Sequence, residues 1–310
     1  MSNKISLVSE KPLTLHSEWL QDIIDQYITV ELYDINKTYN KTSTIFYAPY
    51  NYFNSKSTTA VQQYFIDNGY KIVYDNLWEF PVVDNKKYII QHPYFFRYYE
   101  SLWYKHLEYD LYQPSRNYKH LALMPMRVKK AHRDLAEIKL QPWLDDFIWS
   151  YVSKGHQLPN DGDMNDWNTQ RYFNPVWYND TCFSFVSETY VTKNNDNITW
   201  FTEKTVKPIA FRHPFMILGQ PGILQTLKNM GFETFENLFD ESYDTEPSWI
   251  DRLDTLTNNV KQFQKRPYDS ITEQKIKHNY ELFFDNQLVT KWTVEEIIYP
   301  LLNYAESLND

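Results

Sequence analysis

Hydrophobic and polar positions follow one another along the chain in blocks that predict alternating strands and helices. Short apolar runs at 43–49 and 70–80 predict two strands, and the segment between them has apolar residues at helical spacing. Ser57 or Thr58 would cap this helix and Gly69 would end it. A strand, a helix and a strand in this order predict a right-handed crossover between parallel strands.

A second set of elements follows a polar, proline-containing break near residue 117. Its predicted strands are 119–125, 182–188 and 214–219, and its predicted helices are 130–140, 221–231, 246–265, 270–284 and 292–308. Proline near the start and glycine after the end mark the helix at 221–231. The two sets predict an α/β protein of two Rossmann-like domains, with a cleft at the carboxyl ends of parallel strands.

Composition supports a folded protein and excludes several motif-based functions. The 310 residues suffice for one large domain or two ordinary ones, and 42% of them are hydrophobic. Only 6 residues are glycine, and no GxGxxG, GxxxxGK[ST] or HExxH motif is present. These counts disfavour a dinucleotide-binding fold built on a glycine-rich fingerprint.

Charge and cysteine content limit the partners and the compartment. The net charge of −9 argues against a protein that holds nucleic acid mainly by phosphate neutralisation, although a local basic cleft is compatible with it. Cys182 is the single cysteine, so there is no internal disulfide, which suits a reducing compartment. The sequence has no long apolar run. We therefore expect a soluble, cytoplasmic protein without signal peptide or membrane span.

The stretch FTEKTVKPIAFRHPFMILG at 201–219 places charged residues before a buried strand. Thr202 is a good N-cap, which would put Glu203 and Lys204 in the first helical turn. Unpaired N–H groups and the helix dipole there attract anions, and Lys207 adds a further positive charge. Two alternatives stay open: the helix contains Pro208, or it begins there. Ordinary capping without a ligand is a third interpretation.

Two segments resemble a known family. The sequence SET at 187–189 with FTEK at 201–204, and HLALMPMRVKKAHRDLAEIKL at 120–140, resemble the donor-binding half of fucosyltransferase-like glycosyltransferases with the GT-B fold. The resemblance covers roughly residues 118–285. It implies an acceptor-side Rossmann-like domain at 1–117, a donor-binding domain at 118–285, and a C-terminal helix at 286–310 that crosses back to the first domain.

The resemblance implies a glycosyltransferase that moves a hexosyl or pentosyl group from a nucleoside diphosphate sugar to a hydroxyl of a glycan. Fixed cations would stabilise the leaving diphosphate, and no histidine cluster suggests a metal or other cofactor. Glu203 would bind the ribose hydroxyls, and Glu188 would lie near the donor sugar or nucleotide. The residues facing the diphosphate would be Arg127, Lys130, Arg133, Lys204 and Lys207.

An inverting transfer also needs a general base, which this architecture takes from the first domain. Glu79 lies at the end of a predicted strand and is flanked by Trp78 and Phe80, and such apolar neighbours raise the pKa of a carboxyl group. We therefore predict Glu79 as the catalytic base. Asp75 and Asp84 are the alternatives in the same region.

Two other functions stay open at this point. A phage-type DNA glycosyltransferase acting on a hydroxylated base would suit the biased composition, with 26 tyrosines. A non-catalytic nucleotide-sugar-binding protein would keep the pocket without the base. The sequence leaves the donor, the stereochemistry and the oligomeric state open.

Overall fold

The chain divides into two compact units, Met1–Tyr99 with Asp285–Asp310, and Glu100–Phe284. The structure is a computed structural model. It describes residues 5–9, 28–32, 34, 36–39, 44–48, 64–65, 67–74, 89–91, 100–101, 104–105, 107–158, 174–192, 202–285 and 287. The predicted division into domains at 1–117, 118–285 and 286–310 stays a prediction.

The first unit contains a sheet of five parallel strands in the order β2-β1-β3-β4-β5. The strands are β1 Ile5–Ser9, β2 Ile28–Leu32, β3 Thr44–Ala48, β4 Lys71–Tyr74 and β5 Ile89–Gln91. The strand predicted at 43–49 is confirmed as β3, and the one predicted at 70–80 begins as β4. Gly69 ends the preceding helical turn with φ +72°, as its predicted role requires.

An aromatic group packs beside this sheet. Phe65 is fully buried, and the centre of its ring lies 4.9 Å from that of Tyr70 and 5.7 Å from that of Tyr39. The Tyr70 hydroxyl donates to the Tyr39 carbonyl at 2.8 Å. These contacts bury both the apolar rings and a polar group that has a partner, which stabilises the unit.

The second unit contains a sheet of four parallel strands in the order β7-β6-β8-β9. The strands are β6 His120–Met126, β7 Phe147–Tyr151, β8 Thr181–Ser187 and β9 Phe215–Leu218. Its α-helices are α1 Ala131–Leu140, α2 Pro175–Asp180, α3 Glu203–Ala210, α4 Ile223–Asn229, α5 Trp249–Gln262 and α6 Ser270–Phe284. Short 3₁₀ turns lie at Tyr109–Leu111, Gln141–Asp146, Val152–Lys154 and Ser242–Thr245.

The strand order places a topological switch point between β6 and β8. The chain leaves β6 toward β7 on one side, and it later returns to form β8 on the other side. All seven residues of β8 are buried, which explains its nearly continuous apolar sequence. Ligands of open α/β sheets bind at such a switch point, beyond the carboxyl ends of the strands.

Residues before β6 pack onto the second unit through aromatic rings. Phe211, fully buried after α3, is the centre of this group. Its ring centre lies 4.9 Å from that of Tyr109, 5.2 Å from that of Tyr112 and 6.1 Å from that of Tyr104. The segment before residue 117 therefore contributes to the core of the second unit.

The starts of two helices test the sequence interpretation. Helix α3 begins at Glu203 after the N-cap Thr202 and contains Pro208, so the first of the two predicted starts is correct. Helix α4 differs from its prediction, because Pro221 precedes the N-cap Gly222, which adopts φ +84°. Glycine favours this left-handed conformation. Because the helix begins only after Gly222, Pro221 lies outside it.

Helices α5 and α6 confirm the predictions for 246–265 and 270–284. The helix predicted at 292–308 lies outside the described residues, as does most of the one before Gly69. In the ranges given above, no helix has the length and apolar character needed to cross a membrane.

Candidate functional site

Three helices of the second unit begin beyond the carboxyl ends of its strands. Helix α1 follows β6, α3 follows β8 and α4 follows β9. Because β6 and β8 are neighbours, the starts of α1 and α3 lie at the switch point. The predicted site residues of this unit come from these two loops and helix starts.

Glu188 lies directly after β8 and fills the N-terminus of α3. Its carboxylate accepts bonds from the Thr202 N–H at 3.0 Å and the Thr202 hydroxyl at 2.7 Å. It also accepts from the Thr205 hydroxyl and from the Thr189 N–H, the latter at 3.1 Å. The side chain is 1% exposed. The position where a helix attracts an anion is thus taken by a carboxylate of the chain itself.

The backbone carbonyl of Glu188 connects β8 to α1. It accepts from His132 Nε2 at 2.9 Å and from Arg133 Nη2 at 3.3 Å. Burial lowers the pKa of His132 to about 4, and the Arg133 charge acts in the same direction. His132 is therefore neutral near pH 7 and donates its N–H to this carbonyl.

Arg133 is held inside the protein, with 2% of its surface exposed. Its Nη1 donates to the Val128 carbonyl at 2.9 Å, and its Nη2 also donates to the Ser187 carbonyl at 3.0 Å. Its Nε has no hydrogen-bond partner within the part of the chain that the structure describes. Burial lowers its pKa, and the charges of Glu188 and Glu203 oppose this effect. Arg133 therefore joins the loop after β6 to the end of β8.

Lys204 and Lys130 supply positive charge at the switch point. Lys204 Nζ lies 2.6 Å from Glu203 Oε1 and 3.1 Å from the Thr202 hydroxyl. Lys130 Nζ lies 5.1 Å from the centre of the Tyr190 ring. Burial lowers the pKa of Lys130, and the charges of Arg133 and Lys204 lower it further. The cations are thus close enough to repel one another, and a bound anion would relieve this repulsion.

The starts of the three helices differ in their acceptors. Glu188 serves α3, and Asp244 serves α4 by accepting from Leu224 N at 2.9 Å and Gln225 N at 3.0 Å. At the start of α1 the N-cap is Lys130, and no side chain caps the helix. Of these three helix starts, that of α1 lacks a carboxylate bound to its N–H groups.

The remaining predicted residues lie around this centre. Arg127 follows β6, and Lys207 lies on α3 one turn after Glu203. The side chains of Arg127, Glu203 and Lys207 are half-buried. Glu79, Asp75 and Asp84 lie outside the described residues.

Sequence reasoning missed Thr205 and Tyr190 as members of the site. The spacing of three residues between Thr202 and Thr205 was a usable signal, because residues three apart lie on the same face of a helical turn. Tyr190 gave no signal among 26 tyrosines. Among the described residues, no group of three or more histidine, cysteine, aspartate or glutamate side chains is arranged to hold a metal ion.

Comparisons with known proteins returned matches by structure alone. No protein-family profile and no curated protein sequence matches the chain. The chain is similar to a crystal structure of alpha1,3-fucosyltransferase with GDP-fucose, at TM-score 0.40 and 11% identity over 92% of this chain and 93% of that chain. It is also similar to a structure of alpha1,3-fucosyltransferase with GDP, at TM-score 0.40 and 12% identity over 93% and 92%. These structures belong to the family that the sequence motifs resemble.

Proposed function

We propose that the chain is a nucleotide-sugar-dependent glycosyltransferase whose second unit binds the donor between the starts of α1 and α3. The observation that carries the proposal is the pair Lys130 and Lys204 at the switch point, beside a helix start without a carboxylate cap. In this proposal the two units are the Rossmann-like domains of a GT-B fold and face each other across a cleft.

The diphosphate of the donor fits the charges of this site. Free N–H groups at a helix start and lysine side chains both bind phosphate oxygens. Negative charge grows on the leaving diphosphate as the bond to the sugar breaks, and fixed cations stabilise it in the transition state. Lys130 and Lys204 would do this without a metal ion, with Arg127 and Lys207 as further cations of the same site.

The acidic residues of the site have different roles in the proposal. Glu203 holds Lys204 and would exchange this contact for the ribose hydroxyls when the donor binds. Glu188 is already saturated by four donors, so it would keep α3 and Lys204 in place. Arg133 would act on the diphosphate through its charge, since its Nη atoms already donate to carbonyls.

The acceptor in this proposal is a hydroxyl group of a glycan. A general base of the first domain would remove its proton, and Glu79 is the predicted residue. Transfer that continues in the presence of a chelator would support the metal-independent form of the reaction.

Calorimetric titration with a panel of nucleoside diphosphates tests the donor site. We expect Lys204→Gln and Lys130→Gln each to weaken binding roughly 10- to 100-fold, because each removes a charge-assisted bond to phosphate. Glutamine keeps a long side chain and a donor for Glu203. The matched control is Lys277→Gln, an exposed lysine of α6 paired with Glu281 at 3.6 Å, and it should bind as the wild type does.

Two results would contradict the proposal. One is a wild-type chain that binds no nucleoside diphosphate, and the other is unchanged affinity in both site variants. Hydrolysis of the nucleotide sugar in the absence of an acceptor would separate a transferase from a non-catalytic binding protein.

A further inference from the structure

The loop after β8 is held in place from two sides by buried side chains. The carbonyl of Val191 accepts from an Nη of Arg252 on α5, and the carbonyl of Thr192 accepts from Gln220 Nε2 at 2.7 Å. Arg252 is 1% exposed and Gln220 is fully buried. Tyr190 directly precedes these two anchored residues and lies three residues after the end of β8.

The Arg252 anchor is costly. Its Nη atoms donate to three carbonyls, those of Val191, Glu246 and Pro247. Burial lowers its pKa, because a guanidinium loses hydration inside the protein. Arg252 therefore joins the loop after β8 to the residues before α5.

The Tyr190 ring lies beside the proposed diphosphate site. The centre of its ring is 5.1 Å from Lys130 Nζ, which lies over the ring within the range of a cation–π interaction. The Tyr190 side chain is half-buried, so part of the ring meets solvent at the switch point. A nucleotide has an anionic phosphate group and a flat base. The Lys130 cation suits the phosphate, and the aromatic ring next to it suits the base.

We propose that Tyr190 stacks on the nucleobase of the donor. This inference rests on the proposed function, since it places the base next to a diphosphate bound by Lys130 and Lys204. Because every base has a π face, stacking tolerates different bases. The anchored loop reduces the ordering cost of binding, since the backbone next to the ring is already held.

The test compares a ligand that has a base with one that lacks it. Calorimetry would measure the dissociation constants of a nucleoside diphosphate and of inorganic pyrophosphate for the wild type, Tyr190→Leu and Tyr190→Phe. We expect Tyr190→Leu to weaken nucleoside diphosphate binding roughly 5- to 100-fold, the range given by loss of one base–aromatic stack. Pyrophosphate affinity should change by less than about twofold, since no base is involved. Tyr190→Phe should bind both ligands as the wild type does.

Several outcomes would overturn the inference. Equal weakening of both ligands would show that Tyr190 acts through Lys130 on phosphate, and unchanged affinity for both would show no role. A loss confined to the complete nucleotide sugar would assign the ring to the transferred sugar instead. If the wild type binds neither ligand, the proposed function itself fails, and with it this inference. Tyr190→Asn, which suits a half-exposed loop, replaces the leucine variant if that chain does not fold.

Discussion

At the residue scale, charged side chains with similar sequence signals have different partners in the structure. Lys204 is bonded to Glu203 next to it, whereas the Nη atoms of Arg133 donate to carbonyls 5 to 55 residues away. An arginine in the first turn of a helix looks the same in sequence whether it faces solvent or the interior. Its burial depends on β6 and β8 being neighbours, so the sequence alone does not reveal it.

His213 gives a prediction for the effect of pH on stability. It is 2% exposed, its Nδ1 bonds with the Ser184 hydroxyl at 2.9 Å, and burial lowers its pKa to about 3. Between pH 6.5 and 3 the unfolded chain binds a proton that the folded chain does not. The free energy of unfolding is therefore highest above pH 6.5 and decreases as the pH falls through this range. From pH 7 to 5 this loss is about 2 kcal/mol.

Urea denaturation at pH 7 and pH 5 checks this value. In His213→Gln the loss of stability between the two pH values should be smaller than in the wild type by about 2 kcal/mol. An equal difference in His213→Gln and the wild type would contradict the assignment.

At the element scale, local capping rules predicted one helix start and failed at another. Thr202 was recognised because a threonine hydroxyl accepts from the first turn, here from Lys204 N at 3.4 Å. Pro221 was misplaced because the glycine after it takes the N-cap in a left-handed conformation. The acceptor for the first turn of α4 is Asp244, which follows that helix in the sequence and was therefore not predicted.

Helix α3 provides a prediction about stability. Glu188→Ala would leave the Thr202 N–H and two buried threonine hydroxyls without their acceptor. We expect a loss of about 3 kcal/mol in the free energy of unfolding, since unsatisfied buried donors cost about 1–3 kcal/mol each. Urea denaturation of Glu188→Ala against Glu281→Ala measures the effect. The control removes an exposed carboxylate and should cost less than about 1 kcal/mol. Equal stability of the two variants would rule out the capping role.

At the scale of the whole molecule, two parallel sheets form two compact units. The strand and helix pattern predicted two sets of strands, and the described strands form two sheets. The arrangement of the units across a cleft belongs to the proposed function, and the C-terminal helix predicted to cross between them lies outside the described residues. Catalysis in that proposal needs both units, with the donor on the second and the base on the first.

Glu79→Gln tests this division of labour. Turnover should fall on the order of 10²–10⁴-fold, the usual effect of losing a general base. The affinity for the nucleoside diphosphate should be unchanged, because the donor belongs to the second unit. Turnover assays and calorimetry on the same preparation measure both. Turnover near that of the wild type would leave Asp75 and Asp84 as candidates, and loss of both properties would indicate a structural role.

The sequence by itself determined the features that depend on neighbouring residues. Apolar runs predicted β3, β6, β8 and β9, and a capping threonine predicted the start of α3, because these signals act within a few residues. Only the tertiary structure decided the distant partners of Glu188, which lie 14 to 56 positions away in the sequence. Such contacts depend on which strands are adjacent, and the strand order is set by packing of the whole unit.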